Sequence, residues 1–280
     1  MKKCLIIVLA SVLAGCQKVS LIDEMNNEEP AKTVVFNVGG WDVVTRGDLT
    51  ADGKEMTDLW VFDYVDDECV QTVHQTDEDD EFGSPSVTLS YGSHHLYFVA
   101  SRGTGANLST EDGVITWSSV KDTFWGDLPL NVTDSSLGTQ AVTLGRSVTK
   151  LRVSVTDAVP AGCSSVVIEP ATWYMGLNYL TGEAAEESDD VAVSISVPSS
   201  YAGTIGQLQM SVFGFSDVAE WTTDVAVSAR DGGGSVIGAV SINDAPFKRN
   251  RATNFTGSLF SESSNLDISL DDEWLTPLDL

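Results

Sequence analysis

Leu59-Trp60-Val61-Phe62-Asp63-Tyr64-Val65 is the stretch of sequence that decides the fold class. Its odd positions fall on one face of an extended strand, and its aromatic even positions fall on the other. Asp66-Asp67-Glu68 follows as a turn, and Cys69 to Thr76 is the expected partner strand. The stretch therefore predicts a β-hairpin in the first half of the chain.

Extended segments of this kind recur along the chain, separated by turn residues. Gly92, between two further strand signals, predicts another hairpin, and Asp231-Gly232-Gly233-Gly234 has the composition of a hairpin loop. In the second half the turns recur at about 8–12 residues, the spacing of β-sandwiches. Ser118 to Trp125 could form one or two helical turns, and no segment keeps helical periodicity over three turns. The sequence predicts an all-β fold of two β-sandwich domains, residues 33–148 and 149–280.

The N-terminus has the pattern of an export signal. Met1-Lys2-Lys3 is followed by an apolar run that ends in Leu13-Ala14-Gly15-Cys16. Small residues directly before a Cys resemble the lipobox of bacterial lipoproteins, in which the Cys becomes the first mature residue and carries lipid. We predict a signal peptide at 1–15, lipidation of Cys16 and a polar tether at 16–32; an ordinary secretory signal with a chance Cys is the alternative.

The net charge of the chain limits the classes of partner that it can bind. It has 41 Asp and Glu against 15 Lys and Arg, for a formal net charge of −26. A surface this acidic repels phosphate backbones, so we predict no nucleic-acid binding. Cys69 and Cys163 remain beside the lipidated Cys; export permits a disulfide between them, and two separate thiols are the favoured state.

No catalytic or metal-binding pattern stands out. His94 and His95 are adjacent in a strand, so their side chains point to opposite faces and cannot share a metal. The acidic runs lack the ligand spacing of an EF-hand, which leaves solvated loops as the prediction and a loose Ca²⁺ site as the alternative. These runs are Asp66–Glu68, Asp77–Glu81, Glu186–Asp190 and Asp271–Glu273. We predict a protein that is not an enzyme and that has no cofactor or metal.

Arg46 lies in Thr45-Arg46-Gly47-Asp48, a polar junction between strand signals. An Arg before Gly in an exposed loop is a good site for a trypsin-like protease. Arg46, Gly47 and Asp48 also spell the tripeptide that some host adhesion receptors bind, which makes receptor binding a weaker alternative. An ordinary loop residue is the third interpretation.

An ordered set of motifs resembles the fimbrillin superfamily, which builds type V pili in Bacteroidales. Asp58 to Tyr64, after Thr45-Arg46, looks like the superfamily's second strand, and Leu144 to Val153 resembles its Arg-containing strand near the mid-chain junction. Asn250 to Phe260, followed by Leu266 to Trp274, is similar to its C-terminal ending. The closest branch is the fimbrillin-A-associated anchor, or fimbrial anchoring subunit, family.

The resemblance implies two transthyretin-like sandwiches, a lipid at Cys16 in the outer membrane, and a place in a cell-surface pilus. Stalk and tip members are cut after an Arg that follows the first strand, and a strand of a neighbouring subunit then fills the opened groove. Arg46 occupies a matching position. Anchor members keep the first strand, here Val34, Val35, Phe36 and Val38, in their own groove. The expected partners are other fimbrial subunits.

A different class of function stays open from the sequence. A glycan-binding or glycan-processing surface lipoprotein would also be built from β-sandwiches, with Trp side chains stacked on sugar rings. The candidate side chains are Trp41, Trp117, Trp125, Trp173 and Trp221. A solvent-exposed row of them would favour this alternative.

Overall fold

The computed structural model describes residues 31–39, 56–103, 105–133, 137–189, 191–215, 220–261 and 264–271. Strands dominate these residues, which confirms the predicted all-β class. The strands are β1 (Ala31–Gly39), β2 (Asp58–Val65), β3 (Glu68–Thr76), β4 (Ser86–Ser90), β5 (Gly92–Ser101), β6 (Ala106–Ser109), β7 (Val114–Trp117), β8 (Thr123–Val132), β9 (Gln140–Thr143), β10 (Gly145–Arg146), β11 (Val148–Val155), β12 (Cys163–Pro170), β13 (Thr172–Asn178), β14 (Glu183–Asp189), β15 (Val193–Ser196), β16 (Leu208–Phe215), β17 (Glu220–Asp231), β18 (Val236–Lys248), β19 (Ala252–Ser258) and β20 (Asn265–Asp271).

The first sandwich is built from two sheets. One has the strand order β4-β1-β9 and the other β10-β8-β5-β2-β3. Alternate residues of both sheets point inward, as a pleated strand requires, and share one apolar core. Phe36 of β1 meets Phe98 of β5 in that core, with 5.4 Å between ring centroids.

The second sandwich pairs a large sheet with a smaller one. The large sheet has the order β20-β19-β11-β16-β13-β7-β6, with β14 also paired to β13, and the small one has the order β15-β12-β17-β18. Trp173 is fully buried between them, and its ring packs edge-on against Phe247 at 5.2 Å. Gly214 leaves the room for this indole, since a Cβ there would lie 2.3 Å from Trp173 Nε1.

Among the strands that the structure describes, each sandwich contains one parallel pair beside its antiparallel ones. In the first, β1 runs parallel to β9, with Phe36 opposite Gln140. In the second, β11 runs parallel to β19, with Lys150 opposite Ala252. An early strand and a late strand of each sandwich are therefore neighbours in the sheet.

The two sandwiches share strands and a core. β6 and β7 fall within the range predicted for the first sandwich, residues 33–148, but β7 pairs with β13 in the large sheet of the second. A third apolar cluster joins the outer face of β2 to β7 and β13. Within it Phe62 stacks on Tyr179 at 3.9 Å between ring centroids, and the Tyr64 and Tyr179 hydroxyls lie 3.0 Å apart.

Several local predictions are confirmed and others are wrong. β4 and β5, on either side of Gly92, do not form the predicted hairpin, because β4 pairs with β1 while β5 pairs with β2 and β8. The β2–β3 and β17–β18 hairpins form where the turn residues predicted them, with Asp66, Asp67 and Gly234 at positive φ. The helical turns expected within Ser118 to Trp125 are absent, because β8 begins at Thr123 and pairs with β5. The acidic run at Glu186–Asp190 is not a loop over residues 186–189, which continue β14 beside β13.

Candidate functional site: the first strand in its groove

β1 is held by backbone hydrogen bonds along both of its sides. Its first half pairs antiparallel with β4, and its second half pairs parallel with β9. The loop before β4 extends the first pairing, because the Phe36 and Val38 N–H groups donate to the carbonyls of Pro85 (3.0 Å) and Gly83 (2.9 Å). On the other side the Leu144 N–H donates to the Gly39 carbonyl at 2.8 Å. β1 thus occupies a groove between β4 and β9.

The side chains of β1 divide cleanly between core and solvent. Val34, Phe36 and Val38 are buried, with exposed fractions of 1%, 0% and 5%, whereas Val35 is 39% exposed. The three inward side chains fill the space between the sheets, against Leu59 and Phe98 among others. Removal of β1 would therefore open a long apolar groove with unpaired strand edges on both sides.

Some of the remaining predicted site residues lie outside the described part of the chain, and the structure describes the others. Cys16 and the tripeptide Arg46, Gly47 and Asp48 lie outside the described residues, so their roles stay predictions. Cys69 and Cys163 are both free thiols, as favoured from the sequence, and burial raises the pKa of Cys163. Within the described residues no group of three or more His, Cys, Asp or Glu side chains is placed to hold a metal ion.

Where the structure describes them, the candidate tryptophans do not form an exposed row. Trp117 and Trp173 are buried, with exposed fractions of 3% and 0%. Trp125 donates its indole N–H to the Tyr179 carbonyl at 2.7 Å, and Trp221 packs against Trp173 at 5.6 Å. Trp41 lies outside the described residues. The four candidate indoles that the structure describes serve packing, which removes the observation that would have favoured glycan binding through them.

A buried Ser-His-Asp constellation is the most catalytic-looking feature of the first sandwich. His94 Nδ1 lies 2.7 Å from Asp63 Oδ1, and His94 Nε2 lies 3.3 Å from Ser90 Oγ. Nε2 also lies 3.0 Å from the Ser90 carbonyl, which can only accept a hydrogen bond. Nε2 therefore carries a proton and cannot take one from the Ser90 hydroxyl, as a general base would have to.

The same contacts explain what His94 does. Asp63 lies on β2 and Ser90 ends β4, so the imidazole ties one sheet of the first sandwich to the other. Both side chains of the pair are nearly fully buried, at 1% and 3% exposed. Burial raises the pKa of Asp63, and the hydrogen bond to His94 acts in the opposite direction. Sequence patterns missed this tie, because it joins residues 31 positions apart. His95 points outward to Asp127, as the alternation of the strand predicts.

Two open clefts lie on the second sandwich. One of about 410 Å³ is lined by Lys121, Met175, Val193 and Phe213 among others, where β13 diverges from β16. The other, of about 450 Å³, lies over β12, β17 and β18 beside Glu169 and Asp224. Among the described residues, no helix has the length and apolar character needed to cross a membrane.

Comparisons with known proteins give a family and a fold. A profile of DUF6562, a family of unknown function, matches residues 107–279. No curated protein matches the chain. A candidate adhesin from Bacteroides ovatus ATCC 8483 is similar at 12% identity and a TM-score of 0.52, covering 83% of this chain and 88% of its own. This similarity shows the fold alone.

Two further solved structures have lower scores. A candidate adhesin from Bacteroides thetaiotaomicron VPI-5482 has 12% identity and a TM-score of 0.49, covering 87% of this chain and 97% of its own. The fimbrial anchor protein Mfa2 of Porphyromonas gingivalis has 11% identity and a TM-score of 0.40, covering 81% and 91%.

Proposed function

The chain belongs to DUF6562, a family of unknown function, and from the geometry of its first strand we propose that it is a non-enzymatic structural subunit of a cell-surface fimbria or adhesin assembly. The observation that carries this proposal is the position of β1. This strand lies near the N-terminus, fills an apolar groove with Val34, Phe36 and Val38, and has backbone partners on both sides. An extended segment of another subunit could pair with the same edges by β-augmentation.

Two further points support this role. The fold is that of a candidate adhesin from the same bacterial order as the pilus superfamily that the sequence resembles. The buried Ser90, His94 and Asp63 arrangement has the wrong hydrogen-bond polarity for a nucleophile and base, which fits a protein without catalysis.

Within this role we propose the base anchor. A lipid on Cys16 would hold the chain in the outer membrane, and an uncut junction at Arg46 would leave β1 covalently attached and in its groove. Cleavage after Arg46 would instead remove the lipid together with β1, and the chain would then be a stalk or tip subunit. The two alternatives differ in whether the peptide bond between Arg46 and Gly47 is intact or cut.

Mass spectrometry of the protein isolated from cells separates these alternatives. A diacylated Cys16 peptide together with an intact Thr45–Gly47 junction is the result expected for an anchor. A mature N-terminus at Gly47 would overturn the anchor role and keep the fimbrial one. A cytosolic species with Met1 intact would contradict both.

A matched pair of variants tests the attachment. Cys16→Ser should move the protein from the membrane fraction to the soluble fraction, and Cys69→Ser should leave it in the membrane. Shearing the cells then tests the fimbrial role itself, because an assembly subunit should co-purify with surface fibres or remain at their sheared bases. Surface fibres of normal composition and length in a deletion strain would contradict that role.

A further inference from the structure

The Asp63–His94 pair lies at the corner where the chain passes from one sheet of the first sandwich to the other. Ser90 ends β4, and β5 begins two residues later at Gly92. From β5, His94 donates Nε2–H to the Ser90 carbonyl, and its Nδ1 contacts Asp63 on β2. Because β4 is one wall of the groove around β1, the pair fixes the position of that wall.

The hydrogen bonds of His94 determine how many protons the pair holds. Nε2 carries one proton, because the Ser90 carbonyl can only accept a hydrogen bond. The 2.7 Å contact between Nδ1 and Asp63 Oδ1 needs a second proton, since without it two lone pairs would face each other. Whether this second proton is assigned to His94 or to Asp63, the pair as a whole is neutral. Its loss would leave a buried negative charge and a broken hydrogen bond.

The same two side chains hold one proton fewer when they are exposed to water. An imidazole in an unfolded chain has a pKa of about 6.5 and an aspartic acid one of about 3.9, so at pH 7–8 the first is mostly neutral and the second is charged. Closing the corner therefore takes up about one proton. The equilibrium for opening should rise with pH, because the closed form binds more protons. Burial, which raises the pKa of Asp63, favours the neutral pair in the same way.

The surroundings of the pair are largely uncharged. The residues opposite Asp63 and His94 in the neighbouring strands are Gln71 on β3, Leu96 on β5 and Leu130 on β8. β4 has no charged residue, and β1 brings Lys32 opposite Leu89, where its Nζ lies 5.6 Å from the Tyr91 ring centroid. The positive charge of Lys32 acts against retention of the proton, and the burial of the pair acts for it. His95 and Asp127 form a second His–Asp pair, which is exposed on the other face of β5.

We infer that the Asp63–His94 pair is a proton-dependent latch on the groove that holds β1. With its shared proton the pair holds β4 in place, and when the proton is lost β4 loosens and its pairing with β1 weakens. This role depends on the proposed function, in which the groove is the place where strands are exchanged. Replacement of β1 by a strand of another subunit should then be faster at alkaline pH than at neutral pH.

Hydrogen exchange at a series of pH values tests the latch. The full chain is used in the Cys16→Ser background, so that no lipid is attached. Protection factors already account for the faster chemical exchange of amides at higher pH. Those of the β1 and β4 amides should fall about eightfold between pH 7 and pH 8, the change expected when one imidazole with a pKa of about 6.5 gives up its proton on opening. Protection factors that stay constant over this range would overturn the proposal.

Asp63→Asn is the matched variant. Its amide N–H can donate to an unprotonated Nδ1 of His94, so that the hydrogen bond is kept while the shared proton is removed. The β1 and β4 protection factors of this variant should change less than about twofold between pH 7 and pH 8. His95→Gln removes the exposed pair instead and should keep the eightfold change. An eightfold change retained in Asp63→Asn would show that the pair is not the latch.

The proton can also be counted without a variant, in case Asp63→Asn is poorly folded. Calorimetric unfolding at pH 8 in two buffers with different heats of ionisation should show the release of about one proton per chain. Release of no proton would overturn the latch. The fimbrial role is tested separately by the Arg46 junction and the surface fibres, so a fimbrial subunit without the latch would pass those tests and fail these.

Discussion

The junction between the two sandwiches is held at the residue scale by a buried ion pair. Arg146 on β10 donates from Nε to Asp122 Oδ1 at 2.6 Å and from Nη2 to Oδ2 at 3.0 Å. Its guanidinium also lies over the Phe124 ring at 4.7 Å. The two side chains are only 4% and 10% exposed. A paired arrangement of this kind is strongly coupled, because either partner alone would be a buried charge.

Arg146→Ala should therefore destabilise the protein by about 3 kcal/mol, near the lower end of the range for breaking a buried pair. The lower end applies because Arg102 Nε remains 3.6 Å from Asp122 Oδ2. Chemical denaturation measures the change. Lys248→Ala is the control: Lys248 meets Glu220 at 4.0 Å with both side chains exposed, so its loss should be below about 0.5 kcal/mol. Equal losses in the two variants would contradict this account.

Asp157 provides a pH-dependent contact at the end of β11. Its carboxylate accepts hydrogen bonds from Leu259 N (3.1 Å), Phe260 N (2.7 Å) and Ser258 Oγ (2.9 Å). Partial burial alone would raise the pKa of Asp157, but these hydrogen bonds together lower it below 3.8. A carboxyl group whose pKa is lower in the folded protein stabilises the fold at pH values above its pKa in the unfolded chain. This contribution is lost as the pH falls through the pKa of the group in the folded protein.

Asp157→Asn should thus destabilise the protein at neutral pH by about 1 kcal/mol, a value reduced for solvent screening. The difference from the unchanged protein should shrink as the pH is lowered from about 5 to below 3.8, because the Asp157 carboxylate is then itself protonated. Thermal unfolding at a series of pH values measures this. A difference that stays constant over the acid range would show that the carboxylate charge is not involved.

At the scale of single elements, β1 is the strand on which the proposed function depends. Phe36→Ala should cost about 3–5 kcal/mol, because it leaves a cavity beside Phe98 in the first core. Val35→Ala on the same strand should change stability by less than about 0.5 kcal/mol, since its side chain points to solvent. Denaturant titration of both variants compares them directly. If the two were equally destabilising, β1 would not fill the groove as described.

The elements show which parts of this fold could be predicted from sequence and which could not. β2 and its hairpin could be predicted, because the side chains of Leu59 to Val65 alternate between the two faces of a strand. Asp66-Asp67 supplies the positive φ values of a tight turn. β14 could not be predicted, because its acidic residues resemble those of a solvated loop. Charged residues are also common on edge strands, where they prevent pairing with further strands. β8 was partly missed because its pairing with β5, not local propensity, makes its first residues extended.

The candidate site was predictable to a similar extent. The β-branched and aromatic residues of β1 indicate a strand, and their alternation matches the observed burial of Val34, Phe36 and Val38. The groove around it depends on β4 and β9, which lie about 50 and 100 residues later in the chain, and no local pattern encodes that pairing. The Asp63–His94 tie was missed for the same reason.

At the scale of the whole molecule, the two sandwiches are not separate units in sequence. The large sheet of the second contains β6 and β7, and Ile115 and Trp117 of β7 are buried in the apolar cluster that this sheet shares with β2. A fragment that starts at residue 149 should therefore be poorly packed, whereas one that starts at residue 105 keeps both strands. Near-ultraviolet circular dichroism and NMR dispersion should show tighter packing of the second sandwich in the longer fragment than in the shorter one, although both lack the β2 side of the third apolar cluster. Two equally well-folded fragments would support a boundary at residue 148.

The parallel pairs β1–β9 and β11–β19 have a consequence for how fast the chain folds. Residue 36 stands opposite residue 140, and residue 150 opposite residue 252, so each sandwich closes over roughly a hundred residues of chain. Closure over so long a separation places the fold among slow, high-contact-order topologies. Neither sandwich can be completed until its late strand has left the ribosome. The order of synthesis alone therefore lets the first sandwich be completed before the second, because β9 precedes β19 by about a hundred residues.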